Sequence, residues 1–314
     1  MQKPVSHLAS CSSGFYTGVV KELLHFPWAD PDGKSHNLTL HWWPNKYGTP
    51  LPPRGYVWIV HGIGEHGARY EEIAGFLTAL GFDVLCPEHP GHGLNRSTGT
   101  ASKLVAFKTM RSALTAALDF WRSHGPRSKA GAASKPWFIL GHSLGALLTL
   151  SWALKARSEG FTGDFAQAVF ASAPPLKLRL PVPEWKKVLA SKISGVAPHF
   201  EIGNGIAVED LSNEAANIAS FREDPLVHGS ASPELFMSLQ ADAENILAHP
   251  ADIEIPLALG VGEDDPIVDP VAIETYYHSL GTHKALYKFP ANKHEIINDI
   301  SKRDVYRAIA EWFL

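Results

Sequence analysis

The sequence predicts an α/β fold: a mostly parallel central sheet of about eight strands with helices on both faces, interrupted once by an inserted helical cap. Three observations carry this. Short apolar runs alternate with segments of helical period from Gly55 to the C-terminus. One such run, Trp137–Leu150 (WFILGHSLGALLTL), turns from strand-like to helix-like through Gly141-His142-Ser143-Leu144-Gly145. The rhythm breaks after Pro174-Pro175 and resumes at Pro256.

In chain order, residues 1–15 read as a loose N-terminal segment. Val19–Phe26 and Asn37–Trp43 flank the turn-forming Asp30-Pro31-Asp32-Gly33 and read as a hairpin. Gly55–Val60 (GYVWIV) is apolar on both faces, as a strand covered on both sides must be. Tyr70–Leu80 has helical spacing and stops at Gly81; Phe82–Cys86 is the next strand. A helix over Ala101–His124, a linker at Gly125–Lys135, the Ser143 strand and helix, and a strand at Gln167–Ala171 follow. Pro256–Val261, Val271–Leu280, Ala285–Phe289 and a helix to Leu314 complete the alternation. Residues 16–174 and 250–314 thus form the core and 175–249 the cap, placed over the carboxyl edge of the sheet where ligands bind. Within the cap, Glu184–Val196 sets Trp185, Val188, Leu189, Ile193 and Val196 on one helical face, opposite Lys186, Lys187 and Ser194, with Lys192 intruding. Such a helix packs on its own domain or lies at a lipid interface.

Composition bounds the function. A chain of 314 residues with 45% hydrophobic and 19% charged content can bury a large core. A net charge of −4 gives no basic field for nucleic acid, and no run is long and apolar enough to span a membrane. Two cysteines, Cys11 and Cys86, support no disulfide framework and suit a reducing compartment. The location expected is cytoplasmic, with peripheral membrane contact through the cap. Leu8-Ala9-Ser10-Cys11 has the form of a lipoprotein cleavage site, but no apolar h-region precedes it.

The glycine-flanked serine is the pattern of a nucleophile elbow, whose tight turn leaves no room for side chains at Gly141 and Gly145. A serine merely capping the next helix is the bland reading of that pentad, so its context must decide. A serine nucleophile needs a base, and the base a carboxylate, in the order Ser, acid, His, each after a strand. Glu263-Asp264-Asp265-Pro266 stands at the acid's place, with Asp264 and Asp265 rivals by spacing. His294 occupies the loop where the base belongs, unlike His278 within a helix or His283 before a strand. Backbone N–H groups of Leu144 and of Ile63, in the flexible His61-Gly62-Ile63-Gly64, are the candidate oxyanion donors. His61, His66, His89 and His92 lie on two glycine-rich loops without a familiar metal-ligand spacing, and no dinucleotide or phosphate-loop motif occurs. No metal, cofactor or obligate protein partner is expected.

Several blocks together resemble one family. VHGIGEHGARYEEIA at Val60–Ala74 resembles the HGxGEHxxRY block of the monoacylglycerol lipase and lysophospholipase branch of the α/β-hydrolases. EHPGHG at Glu88–Gly93, GHSLG, VGEDDPIVD and ANKHEIIND fit the same branch in order. In the insertion, SAPPLKL at Ser172–Leu178, DLSNE at Asp210–Glu214 and DPLVHG at Asp224–Gly229 resemble that family's cap. The resemblance covers about Leu38 to Leu314. It implies Ser143 as nucleophile, Asp265 as the acid, His294 as the base, and Ile63 and Leu144 as oxyanion donors. Glu65 and Arg69 match positions near the polar alcohol end of the family's pocket; an ion pair supporting the oxyanion strand is the alternative role. Asn95-Arg96-Ser97 and the N-terminal extension depart from the pattern. The expected activity is hydrolysis of single-chain lipid esters through an acyl-enzyme. Short esters, acyl transfer to another alcohol and peptide cleavage are the rivals on the same fold. A silent ligand-binding shell is the rival of another class, and it would be expected to have lost a triad residue.

Overall fold

Side-chain alternation along a strand decides which face of a sheet each residue enters. The computed structural model describes residues 21–45, 53–99, 103–126, 135–155, 166–179, 197 and 199–314. Strands β1 (Glu22–Ala29) and β2 (Ser35–Trp43) form the hairpin, paired from Glu22↔Trp42 up to Ala29↔Ser35 beside the turn. Asp30 closes that turn, its carboxylate accepting from the Lys34 N–H at 2.8 Å. β3 (Tyr56–Val60) is buried throughout. Its Tyr56, Trp58 and Val60 join one apolar cluster, and Val57 and Ile59 join a second. The sheet is therefore covered on both faces, which is why GYVWIV carries no polar alternation.

β4 (Asp83–Pro87), β5 (Trp137–His142), β6 (Ala168–Ser172), β9 (Leu257–Gly262) and β10 (Lys284–Phe289) complete an eight-stranded sheet in the order β1-β2-β4-β3-β5-β6-β9-β10. From β4 to β10 every pairing is parallel, while β2 runs antiparallel to β4 and to β1. The strand order reverses at β3, so the loops after β3 and β5 open side by side at the carboxyl edge.

Helix α1 (Glu71–Ala79) covers one face through Ile73, Ala74 and Leu77, with α2 (Gly93–Ser97) following β4. The other face is covered by α3 (Phe107–His124) and α4 (Leu144–Lys155). α3 begins at Phe107, short of the helix that the periodicity from Ala101 predicts. Leu104 and Val105 are buried instead, and the Leu104 carbonyl accepts from Ser232 Oγ at 3.3 Å and His199 Nδ1 at 3.1 Å. Partners outside the helix thus take the carbonyl that an extra turn would use.

Between β6 and β9 lie a two-stranded ribbon, β7 (Ile202–Gly203) with β8 (Ser230–Ala231), and helices α5 (Ala215–Glu223) and α6 (Pro233–Ala248). Glu184–Val196 lies outside the described residues, as do residues 1–15. α6 is tied to the core by polar contacts. Arg111 Nη1 of α3 donates to Ser151 Oγ of α4 at 2.8 Å and to Asp242 Oδ1 of α6 at 3.3 Å. α7 (Pro270–Ser279) and α8 (Lys302–Phe313) follow β9 and β10; α8 buries Val305, Tyr306, Ile309 and Phe313 against the α1 face. Among the described residues no helix is long and apolar enough to cross a membrane.

Trp121 of α3 is fully buried, with ring centroids 5.3 Å from Trp42 and 5.8 Å from Tyr56. Trp121→Ala leaves a cavity between α3 and the sheet and should lower the unfolding free energy by about 3–5 kcal/mol, measured by urea titration.

Candidate active site

The glycine flanking Ser143 on its helical side is held by contact with a neighbouring strand end. A Cβ added at Gly145 would stand 2.0 Å from the Val60 carbonyl oxygen and 2.5 Å from that of His61. No side chain fits there, so α4 starts directly against the end of β3. Ser143 itself takes a left-handed backbone, φ 51°, uncommon for a residue with a Cβ. Its N–H donates to the Ser172 carbonyl at 2.8 Å and its own carbonyl accepts from Leu147 N–H at 3.1 Å, which hold the turn shut.

Three side chains from three strand ends converge there. Ser143 Oγ donates to His294 Nε2 at 2.8 Å, and His294 Nδ1–H donates to Asp265 Oδ2 at 2.8 Å. Asp265 Oδ1 accepts from the N–H groups of Ile267, at 2.8 Å, and Val268, at 3.0 Å, which fixes the carboxylate's orientation. Asp264 is exposed. The two rivals thus separate: only Asp265 reaches the imidazole. His294 is 2% exposed. Burial works against its charged form, but the Asp265 carboxylate, with Glu295 and Glu65 beyond, outweighs burial and holds its pKa above the ordinary histidine value. Asp265 is held below the usual carboxylate range despite burial, by His294 and the two backbone donors. His142, its ring 5.2 Å from that of His294, is pushed down to about 3 by burial and by the His294 charge.

Leu144 opens α4, where the first amides lack intrahelical acceptors. The loop bearing Ile63 packs on the elbow: a Cβ at Gly62 would lie 3.5 Å from Ser143 Cβ. Gly62 N–H donates to Glu65 Oε1 at 2.6 Å, and Tyr70 O–H to the same oxygen at 2.7 Å. The chemistry available is nucleophilic attack by a serine with an adjacent, oriented base.

The cleft encloses about 130 Å³. Its apolar wall is Ile63, Ile206, Val208, Leu211 and Phe221; Glu65, Glu295 and His142 line it near the serine, and Asn204 and His228 line it as well. Glu65 faces the cleft, whereas Arg69 is absent from its lining: the guanidinium bonds Glu65 and Glu295 and lies 4.7 Å over the Phe221 ring. The wall contributed between β6 and β9 is fastened to the core. His228 N–H donates to the Gly64 carbonyl at 2.9 Å, Glu295 N–H to Leu211 at 2.7 Å, and His66 pairs with Asp224 at 2.7 Å. Sequence reasoning passed over Glu295, Asn217 and His228. Adjacency to His294 was the one signal for Glu295; for Asn217 and His228, nothing local marks a partner far away in the chain.

The histidines weighed as metal ligands have other partners. His61 Nδ1–H donates to the Gly62 carbonyl at 2.9 Å while its Nε2 accepts from His89 N–H at 3.1 Å. His89 Nε2–H returns a bond to the His61 carbonyl at 3.1 Å, and His92 Nδ1–H donates to Pro90 at 3.0 Å. Burial pushes the pKa of His61, His89 and His92 well down, so all three are neutral rings, and the first two join the loops after β3 and β4. Among the described residues no group of His, Cys, Asp or Glu is placed to hold a metal ion.

A doubly covered parallel sheet with a serine elbow after β5 defines an α/β-hydrolase. The family described as serine aminopeptidase, S33, matches residues 51–301, and the chain belongs to it. Phospholipase YtpA of Bacillus subtilis is 23% identical over 82% of this chain and 93% of its own. An abhydrolase domain-containing protein of Dictyostelium discoideum is 25% identical over 88% of this chain, and the match spans only 27% of that longer protein. The crystal structure of Paleococcus ferrophilus monoacylglycerol lipase superposes with a TM-score of 0.72 at 27% identity, covering 88% of this chain and 97% of that one.

Two outcomes follow from the site. Gly145→Ala forces α4 off the β3 end and should destabilise the fold by about 1–3 kcal/mol by urea titration, with loss of fluorophosphonate labelling of Ser143. A serine activated by a neutral His294 imidazole loses reactivity as pH falls through a midpoint above the ordinary histidine value, because the carboxylates around that ring raise its pKa. His142 stays neutral across that range, so the labelling rate should follow a single-proton limb; a two-proton limb there would contradict this assignment.

Proposed function

We propose that the protein hydrolyses carboxylic esters of single-chain lipids, monoacylglycerols or lysophospholipids, through a covalent acyl-enzyme. The observation that carries this is the Ser143–His294–Asp265 relay, bonded at 2.8 Å at both links and opening on a largely apolar cleft. Ser143 Oγ attacks the ester carbonyl as His294 Nε2 takes its proton, and Asp265 stabilises the imidazolium. The Ile63 and Leu144 N–H groups receive the oxyanion, which in comparable sites is worth about 3–4 kcal/mol per donor. His294 then protonates the departing alcohol, and water repeats the sequence to release the acid. The insertion 175–249 serves as a cap whose Ile206, Val208, Leu211 and Phe221 receive the acyl chain. Its transient contact with a lipid surface fits the exposed Phe200 and Ile202, which are 58% and 42% accessible.

The names of the relatives support lipid esters, one a phospholipase and one a monoacylglycerol lipase. The family description names an aminopeptidase, but such an enzyme needs a free carboxylate for the substrate's ammonium. Both carboxylates lining the cleft, Glu65 and Glu295, are bonded to Arg69, so a substrate ammonium would compete with a guanidinium for them while an uncharged ester would not.

The test is a chain-length series of monoacylglycerols and lysophosphatidylcholines beside short aryl esters and aminoacyl amides, each with wild type and Ser143→Ala. Turnover of the lipid esters should exceed that of the amides and fall by about 10³-fold or more in the variant. Serine-dependent turnover restricted to short activated esters would remove the lipid assignment and leave the mechanism.

A further inference from the structure

The Arg69 side chain is 5% exposed and its guanidinium reaches in two directions. Nε donates to Glu65 Oε2 at 3.1 Å, and Nη2 donates to Glu295 Oε2 at 2.7 Å and to Asn217 Oδ1 at 3.3 Å. Beyond Glu65 stands the Gly62 N–H, 2.6 Å from Oε1, next to Ile63. Beyond Glu295 stands His294, its neighbour in sequence. Asn217 Nδ2 of α5 also donates to Glu295 Oε2, at 2.8 Å. A buried, charge-assisted chain therefore runs from the oxyanion loop through Glu65, Arg69 and Glu295 to the histidine loop, with α5 attached at its middle.

We propose that Arg69 and Glu295 are positioning residues, a buried bolt that sets the spacing between the loop carrying Ile63 and the loop carrying His294. The proposal rests on the ester-hydrolase reading of Ser143 and His294. These loops follow β3 and β10, between which β5, β6 and β9 intervene in the sheet, so sheet hydrogen bonds do not join them directly. Acyl transfer needs its oxyanion donor and its base placed together to within a fraction of an ångström. A planar guanidinium holding two carboxylates at fixed angles supplies that rigidity, where a lysine ammonium would hold them only as a point charge. The charged and titratable groups around His294 are Asp265, Glu295, Glu65, Arg69 and the neutral His142. Glu65 and Glu295 against one Arg69 leave a surplus negative charge that favours the imidazolium formed during attack.

The bolt and a head-group contact differ in what they do to a substrate without a polar alcohol. Kinetics of Arg69→Lys, Glu295→Gln and the double variant are compared with wild type on a monoacylglycerol and on a p-nitrophenyl ester of the same acyl chain, using the full chain. A bolt lowers kcat on both substrates by the same factor, about 10- to 100-fold, with KM within about twofold. The double variant should be no slower than the slower single one, because both break the same chain. Glu295→Gln should also move the acid limb of kcat/KM to lower pH, since a carboxylate supporting the imidazolium is gone. Should Arg69→Lys fail to fold, the isosteric Glu295→Gln carries the comparison, with the fluorophosphonate labelling rate as second readout. A loss confined to the monoacylglycerol and to KM makes the pair a head-group contact and overturns the bolt, as does an unmoved acid limb with additive losses. If wild type shows no serine-dependent turnover of either substrate, the ester-hydrolase reading falls and the bolt with it. If wild type turns over both and the variants match it, the bolt alone falls.

Discussion

The contact on which the site depends is the one between α4 and the end of β3, where Gly145 lies so close to the Val60 and His61 carbonyls that a single Cβ would collide. It forces the strand-to-helix turn to be made in the fewest residues, which puts Ser143 in a left-handed backbone conformation and its hydroxyl at the sheet edge. It also fixes the distance between Leu144 and the loop that bears Ile63. Strain at one residue is sustained because the surrounding sheet bonds over-determine it. A looser turn would lower that strain and lose the alignment.

Around that contact, charge is arranged in two zones. On the β3–β4 side, His61, His89 and His92 are neutral and buried; the bonds between His61 and His89 hold two loops together, and His92 bonds Pro90 within its own loop. Around His294 stand Asp265 and Glu295 from the β9–β10 side and Glu65 from the loop after β3, with Arg69 of that loop as the counter-cation. Low effective dielectric strengthens both zones. The result is an imidazole whose proton affinity is raised on one side of the cleft, beside imidazoles that stay uncharged on the other.

The wall between β6 and β9 joins these zones. His228 binds the Gly64 carbonyl, Leu211 receives the Glu295 N–H, and Asp299 Oδ1 accepts from Asn213 N–H at 2.7 Å while its Oδ2 accepts from Lys293 N–H at 2.7 Å. The segment around residues 204–228 is thus fastened to the loops bearing Gly64 and His294 by hydrogen bonds, so its apolar residues present a fixed surface to the cleft.

Local patterns were enough for the sheet, for the elbow at Ser143 and for His294 as the histidine after the last strand, because each rests on periodicity or on a spacing within a few residues. GYVWIV read as a doubly covered strand since both faces are apolar, and Tyr56–Val60 lies in the sheet with β4 and β5 on either side. Spacing alone left Asp264 and Asp265 open. The family resemblance favours Asp265, and in the folded turn it is Asp265 whose carboxylate faces inward, on two backbone donors. Where α3 starts was decided by Ser232 and His199 competing for the Leu104 carbonyl. The partners of Arg69 were beyond the sequence for the same reason. Glu295 lies 226 residues away and Asn217 lies 148 away, and nothing in a local pattern encodes a contact made when distant strands align.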